Sequence, residues 1–99
     1  MVDENDPVFQ FFGGYFHEDW MLDAASTREV VGEYVKAHTP EERSALSRAV
    51  VEYSQKFASD SELEDGLFHE LGCYYTPSGI GLSAKAWLQT VASQILHGT

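Results

Sequence analysis

The chain has 99 residues, 43% of them apolar, and its 16 Asp and Glu against 6 Lys and Arg leave a formal net charge of -10 at pH 7. That length holds one domain, residues 1–99, around one modest core, and six Phe, five Tyr and two Trp supply enough apolar mass to fold it. The charge argues against direct binding to nucleic acid or an anionic membrane, whose phosphates would be repelled, and favours steered encounter with a cationic surface.

At the amino end, Met1-Val2-Asp3-Glu4-Asn5-Asp6 is acidic, where a secretory signal would be basic and then apolar. Residues 1–6 are expected to be flexible. No apolar run approaches the ~20 residues that a membrane span needs, so the expected location is the cytoplasm. Asp6 before Pro7 reads as an N-cap followed by proline at the first helical position, and Gly13-Gly14 is expected to close this short aromatic helix. Tyr15-Phe16-His17-Glu18-Asp19-Trp20-Met21-Leu22 has no helical period and reads as extended or irregular, with its aromatics as scaffold.

Ser26-Thr27-Arg28-Glu29 has the form of a capping box and opens a helix over about 27–38, with Val30, Val31, Tyr34 and Val35 on its core side. Thr39-Pro40-Glu41-Glu42 repeats the device and opens a helix over about 40–58. Leu46, Val50, Tyr53 and Phe57 form its apolar stripe. On these two helices Arg28, Lys36, Arg43, Arg48 and Lys56 interleave with Glu29, Glu33, Glu41, Glu42 and Glu52, a pattern of intrahelical or solvated pairs. Ser59-Asp60-Ser61 caps a shorter helix that turns Leu63, Leu67, Phe68 and Leu71 inward and stops at Gly72. After a loop, Ser83 caps the last helix, whose core face is Ala84, Trp87, Leu88, Val91, Ile95 and Leu96, and Gly98 ends it. The architecture expected is all-α: a bundle of four to five helices with a Tyr-Tyr loop before the last.

That loop, Leu71-Gly72-Cys73-Tyr74-Tyr75-Thr76-Pro77-Ser78-Gly79-Ile80-Gly81-Leu82-Ser83, carries the main functional signal. Tyrosine offers a large apolar face and a hydroxyl at low entropic cost, and it is enriched where partners dock. Adjacent residues cannot easily both point inward, so one of Tyr74 and Tyr75 should be buried and the other at least partly exposed. Asp60, Glu62, Glu64, Asp65 and Glu70 precede them, with no Lys or Arg between Lys56 and Lys85. These acids suit a solvated helix face favoured by the helix dipole, or an anionic rim around an aromatic centre. Trp20 and Trp87 read as core.

Catalytic chemistry finds little to stand on. His17, Glu18 and Asp19 are neighbours in sequence, and such neighbours seldom converge on one point. His69 and Cys73 have ligand spacing, but Gly72 breaks the helix between them and no second pair accompanies them. A Cys-His nucleophile pair would lack an oxyanion loop. Gly79-Ile80-Gly81 lacks the Gly-Lys of a phosphate loop. Cys73 is the sole cysteine, so no internal disulfide forms. The expectation is a protein with no catalytic, metal or cofactor site.

Tyr15-Phe16-His17-Glu18-Asp19-Trp20, then Leu71-Gly72-Cys73-Tyr74-Tyr75-Thr76-Pro77, Leu82-Ser83, Trp87-Leu88 and Val91, resemble the small immunity proteins of bacterial contact-dependent growth inhibition systems. The resemblance runs from about Phe9 to Ile95, nearly the whole chain. It implies a cytoplasmic protein that binds the C-terminal toxin domain, often a nuclease, delivered by a neighbouring cell. Tyr74-Tyr75-Thr76-Pro77-Ser78-Gly79-Ile80 is also similar to the Tyr-Tyr-Pro segment of colicin nuclease immunity proteins, although Thr76 here separates the tyrosines from the proline. That likeness implies Tyr74 and Tyr75 as anchors. The expectation is therefore a non-enzymatic toxin inhibitor, monomeric when free, with Asp60, Glu62, Glu64, Asp65 and Glu70 as rim acids. One alternative is an acidic adaptor or nucleic-acid mimic acting on a basic host protein. A small enzyme or metal sensor using His17, His69 and Cys73 is another.

Overall fold

Helix starts follow from side chains that can take an orphan amide. In the computed structural model, which describes residues 6–23, 26–75 and 77–98, Asp6 accepts from Val8 N at 2.8 Å and opens α1, Pro7–Tyr15. Ser26 accepts from Glu29 N at 3.2 Å and opens α3, Thr27–Ala37, after the single-turn helix α2, Trp20–Asp23. Thr39 and Glu42 complete a reciprocal capping box at the head of α4, Pro40–Ser54. Ser59 opens α5, Asp60–His69, and Ser83 opens α6, Ala84–His97, each through an amide three residues on. A 3-10 turn, Pro77–Ile80, lies between the last two.

Among the described residues all regular structure is thus helical, with six α-helices. The count exceeds the expected four to five because Trp20–Asp23 closes one turn inside a stretch that reads as irregular. Residues 16–19 before it do lack helical structure. Residues 1–5 and Thr76 lie outside the described residues, while Asp6, expected to be flexible, is fixed as a cap.

Three helix ends differ from the sequence expectation. α1 runs through Gly13-Gly14 to Tyr15 instead of stopping there. A Cβ on Gly13 would sit 3.2 Å from the Leu71 carbonyl, so this glycine is a notch that admits the end of α5 against α1. α4 ends at Ser54, short of 58: Gln55 N and Lys56 N donate three residues back, to Glu52 O and Tyr53 O, and tighten the chain into a turn. The turn lays Phe57 edge-on to Tyr53 at 5.2 Å, outside the helix that was expected to hold it. Both side chains close over Gly66, where a Cβ would lie 2.8 Å from the Phe57 ring and 2.8 Å from the Tyr53 hydroxyl. α5 closes at His69, short of the expected stop at Gly72, where Glu70 N and Leu71 N both donate to Gly66 O. Gly72 adopts φ +70°, a left-handed conformation that favours glycine, and Cys73 N donates to Leu67 O at 2.9 Å.

α4 and α6 form the most extensive helix pair, with α3 and α5 also against α6 and α1 against α4. Phe12, Phe16, Leu46, Val50, Leu63, Leu67, Leu71, Leu88 and Ile95 are buried at their centre. Two buried polar side chains stitch the helices together: Ser47 Oγ donates to Ala92 O at 2.8 Å and Gln94 Nε2 donates to Arg28 O at 2.9 Å. Phe68 and Leu96, both expected inward, are exposed. Each follows a buried residue, Leu67 or Ile95, and a step of about 100° around the helix carries it off the core face. Trp20 and Trp87 are buried, as the sequence suggests.

Candidate partner-binding surface

The chain leaves α5 through Gly72 and then runs beside the α1–α2 junction. Tyr74 N donates to Phe16 O at 2.8 Å, and the Trp20 indole N–H donates to Tyr74 O at 3.4 Å. These two bonds fix the Tyr-Tyr segment to a part of the sequence more than fifty residues away. Cys73 is sealed beneath it, with its Sγ 3.9 Å from Tyr75 O, and burial pushes its thiol up to about 12.

The two tyrosines diverge, although neither is fully buried as one was expected to be. Tyr75 is half-buried, its ring 4.7 Å from Trp87, 5.9 Å from Trp20 and 6.5 Å from Phe16. Burial raises its hydroxyl pKa, with a smaller contribution from Cys73. Tyr74 is 46% exposed and meets the 45% exposed ring of Phe68 edge-on at 5.0 Å. Edge-to-face pairs of this kind hold each ring in place. Tyr74 and Tyr75 therefore present aromatic surface from a rigid support.

The acids divide into two groups. Glu62, Glu64 and Asp65, together with Ser61, Phe68 and Tyr75, line a concavity of about 370 Å³ on the outer side of α5. Asp65 Oδ1 lies 3.3 Å from His69 Nε2 at the surface. Glu62 accepts from Ser59 Oγ at 3.4 Å within the cap of α5, and the other two acids reach partners on other elements. Asp60 accepts from Ala84 N at 2.8 Å and from Lys85 N at 2.9 Å, so it caps α6 from the start of α5. Glu70 accepts from the Tyr53 hydroxyl at 2.8 Å. Both remain exposed and add negative charge beside the concavity, but each is held by the fold.

Sequence reasoning misses Phe68 in this site because it assigns that residue to the core. The signal is present: Leu63, Leu67 and Leu71 recur every four residues, and Phe68 falls outside that row. Outside this concavity, Met21 and Leu22 also face solvent. They are 70% and 84% exposed on α2.

A second cleft of about 370 Å³ lies between α1, α3 and α4, lined by Phe11, Tyr15, Tyr34, His38, Glu42 and Leu46 among others. Tyr34 stacks on His38 at 3.9 Å, and burial raises its pKa, with Glu42 adding to the rise. Glu42 is committed to the Thr39 capping box, whose backbone hydrogen bond holds its carboxyl below the usual range. The loop tyrosines are not part of this cleft. Elsewhere, His69 is at the surface and Cys73 in the core, and among the described residues no three His, Cys, Asp or Glu are grouped to hold a metal. No helix of the described residues is long and apolar enough to cross a membrane.

The described surface thus sets exposed aromatic rings beside carboxylates on an all-helical frame. Over residues 7–95 the chain matches the family model described as CdiI immunity protein. It belongs to that family, the immunity proteins of contact-dependent growth inhibition, as the motifs around Trp20 and Tyr74 implied. Membership implies an inhibitor rather than a catalyst. No curated protein and no solved structure shows a significant match to the chain.

Proposed function

We propose that this protein binds and neutralises the C-terminal toxin domain of its own contact-dependent growth inhibition system, and that this domain is a basic nuclease. The observation that carries the reading is the meeting of Phe68, Tyr74 and Tyr75 with Glu62, Glu64 and Asp65 on one surface. Nuclease domains are cationic where they hold nucleic acid, and an acidic surface with aromatic anchors complements such a region. Tyr74 and Tyr75 are the anchors of this reading. Glu62, Glu64 and Asp65 form the anionic rim, with Asp60 and Glu70 adding charge from their structural positions. The rim sets the rate of encounter, and the aromatic contacts set the lifetime of the complex. The free protein is monomeric in this reading and acts in the cytoplasm, where a delivered nuclease would meet its substrate.

The test is co-purification of the full chain with the C-terminal domain of the polypeptide encoded immediately upstream, followed by calorimetry. A one-to-one complex of nanomolar affinity, about -12 kcal/mol, is expected. Tyr74→Ala combined with Tyr75→Ala should weaken it at least roughly 100-fold. An unchanged affinity in that double variant would remove the tyrosines as anchors. If the upstream domain proves to have no nuclease activity, the substrate class of this reading is wrong even where binding is tight.

A further inference from the structure

α2 is a helix of a single turn, and it buries just one of its large apolar side chains. Trp20 is in the core, whereas Met21 and Leu22 are among the most solvent-exposed apolar residues described, at 70% and 84%. Single exposed apolar residues need no explanation, but an apolar group of several on one surface does. The Trp20 indole bonds to Tyr74 O, so α2 is anchored to the loop that carries Tyr74. Tyr74 in turn packs on Phe68. Four exposed apolar side chains, 21, 22, 68 and 74, therefore belong to three elements tied together at Tyr74.

Charge says what faces this group. Glu18 and Asp19 are exposed on the turn that leads into α2, and Glu62 and Asp65 are exposed on α5. The sequence has no Lys or Arg in residues 1–27 or 57–84, the two segments that supply all three elements. A second copy of this chain would bring the same acids against one another. A cationic partner would not, and acids flanking an apolar centre match the polar rim and apolar core of a stable interface.

We propose that Met21 and Leu22, with Phe68 and Tyr74, form an apolar ridge that enters an apolar recess of the cationic partner domain. This rests on the toxin-binding reading above and extends the contact surface from the loop and α5 to α2. The segment around Trp20 then has two roles: its aromatic rings are scaffold, and its next two residues are contact.

The experiment uses the full chain and the upstream-encoded C-terminal domain in calorimetry. Met21→Ser with Leu22→Ser should weaken binding roughly 100-fold, the loss expected for two apolar side chains that no longer leave water. Val51→Ser, at an exposed apolar site on α4, should bind as the wild type does. Both altered α2 positions face solvent, so circular dichroism should show an unchanged fold. In parallel, oxidation of Met21 by dilute peroxide, read by mass spectrometry, should slow at least roughly fivefold in the complex. Wild-type affinity in the α2 double variant, with Met21 oxidised equally fast free and bound, would overturn the ridge while leaving the function intact if the Tyr74 and Tyr75 variant binds at least roughly 100-fold more weakly. A wild-type chain that forms no complex would overturn both.

Discussion

Residues 28–56, which hold α3 and α4, carry Glu29, Glu33, Glu41, Glu42 and Glu52 against Arg28, Lys36, Arg43, Arg48 and Lys56, and are electrically neutral. The remainder of the chain carries eleven acids and one base, Lys85, so the whole net charge of -10 resides there. In the balanced region charge is settled locally. Glu42 completes a capping box, and Lys36 pairs with Glu33 across one turn at 3.9 Å. In the acidic region Asp60 and Glu70 serve the fold, and Glu62, Glu64 and Asp65 surround an aromatic surface. The net charge is thus a property of one part of the molecule. Like charges held together in this way repel one another, and a cationic partner would relieve that repulsion.

The most damaging way to probe the comparison is to loosen the aromatic support of the acidic region. Phe16 is fully buried and its ring lies within 6.5 Å of Phe11, Phe12, Trp20, Tyr75 and Trp87. Its carbonyl also receives the Tyr74 amide. Phe16→Ala should lower stability by about 3–5 kcal/mol, as large cavities in a core do. Urea denaturation gives the number. A loss well under about 1 kcal/mol would mean that the acidic surface does not depend on this aromatic hub.

That hub also marks how far the sequence could be read. Caps, core stripes and the Gly72 break are local, since each depends on residues within one or two turns, and Asp6, Ser26, Thr39, Ser59 and Ser83 all act as their types and positions suggest. The tyrosine pair and the acids of α5 could be read together as a candidate site for the same reason: they lie within one continuous stretch. The contribution of α2 could not, because it depends on the bond between Trp20 and Tyr74, 54 residues apart. Gly13 was misread as a stop because its role is to accommodate Leu71, a neighbour in space alone. Asp60 reads as one more surface acid until the head of α6 is seen above it.

A smaller effect is expected from pH. The Cys73 thiol under the acidic surface is raised by burial from its ordinary 9.0 to about 12. The folded state therefore holds this proton more tightly than the unfolded chain. The stabilisation is fully present below pH 9 and is lost as pH rises from 9 towards 12. The folding equilibrium should fall by at most roughly tenfold per pH unit on this account. Tyr34, Tyr53 and Tyr75, also raised chiefly by burial, add to the loss above pH 10. Cys73→Ala should flatten the profile between pH 9 and 10, measured by urea titration at a series of pH values. An identical slope in the variant would mean the thiol is not sealed.

The smallest effect is the one that discriminates best between the two regions. Glu62→Lys with Asp65→Lys should slow association with the toxin domain roughly tenfold at low salt and flatten its salt dependence, because exposed charges act through a screened field. Glu33→Lys with Glu52→Lys changes the net charge by the same amount but in the balanced region, and should leave the rate within about threefold. Asp60→Ala tests the division within the acidic region itself. It removes the acceptor for the Ala84 and Lys85 amides, so it should lower stability by about 0.5–2 kcal/mol while changing association less than the double reversal does. Stopped-flow mixing over a range of salt concentrations reads the rates, and thermal melts read the stability. If the α3–α4 reversal slows association as much as the α5 reversal, the partner senses total charge and not its placement. The concentration of acids beside Tyr74 and Tyr75 would then be a feature of the fold without a part in recognition.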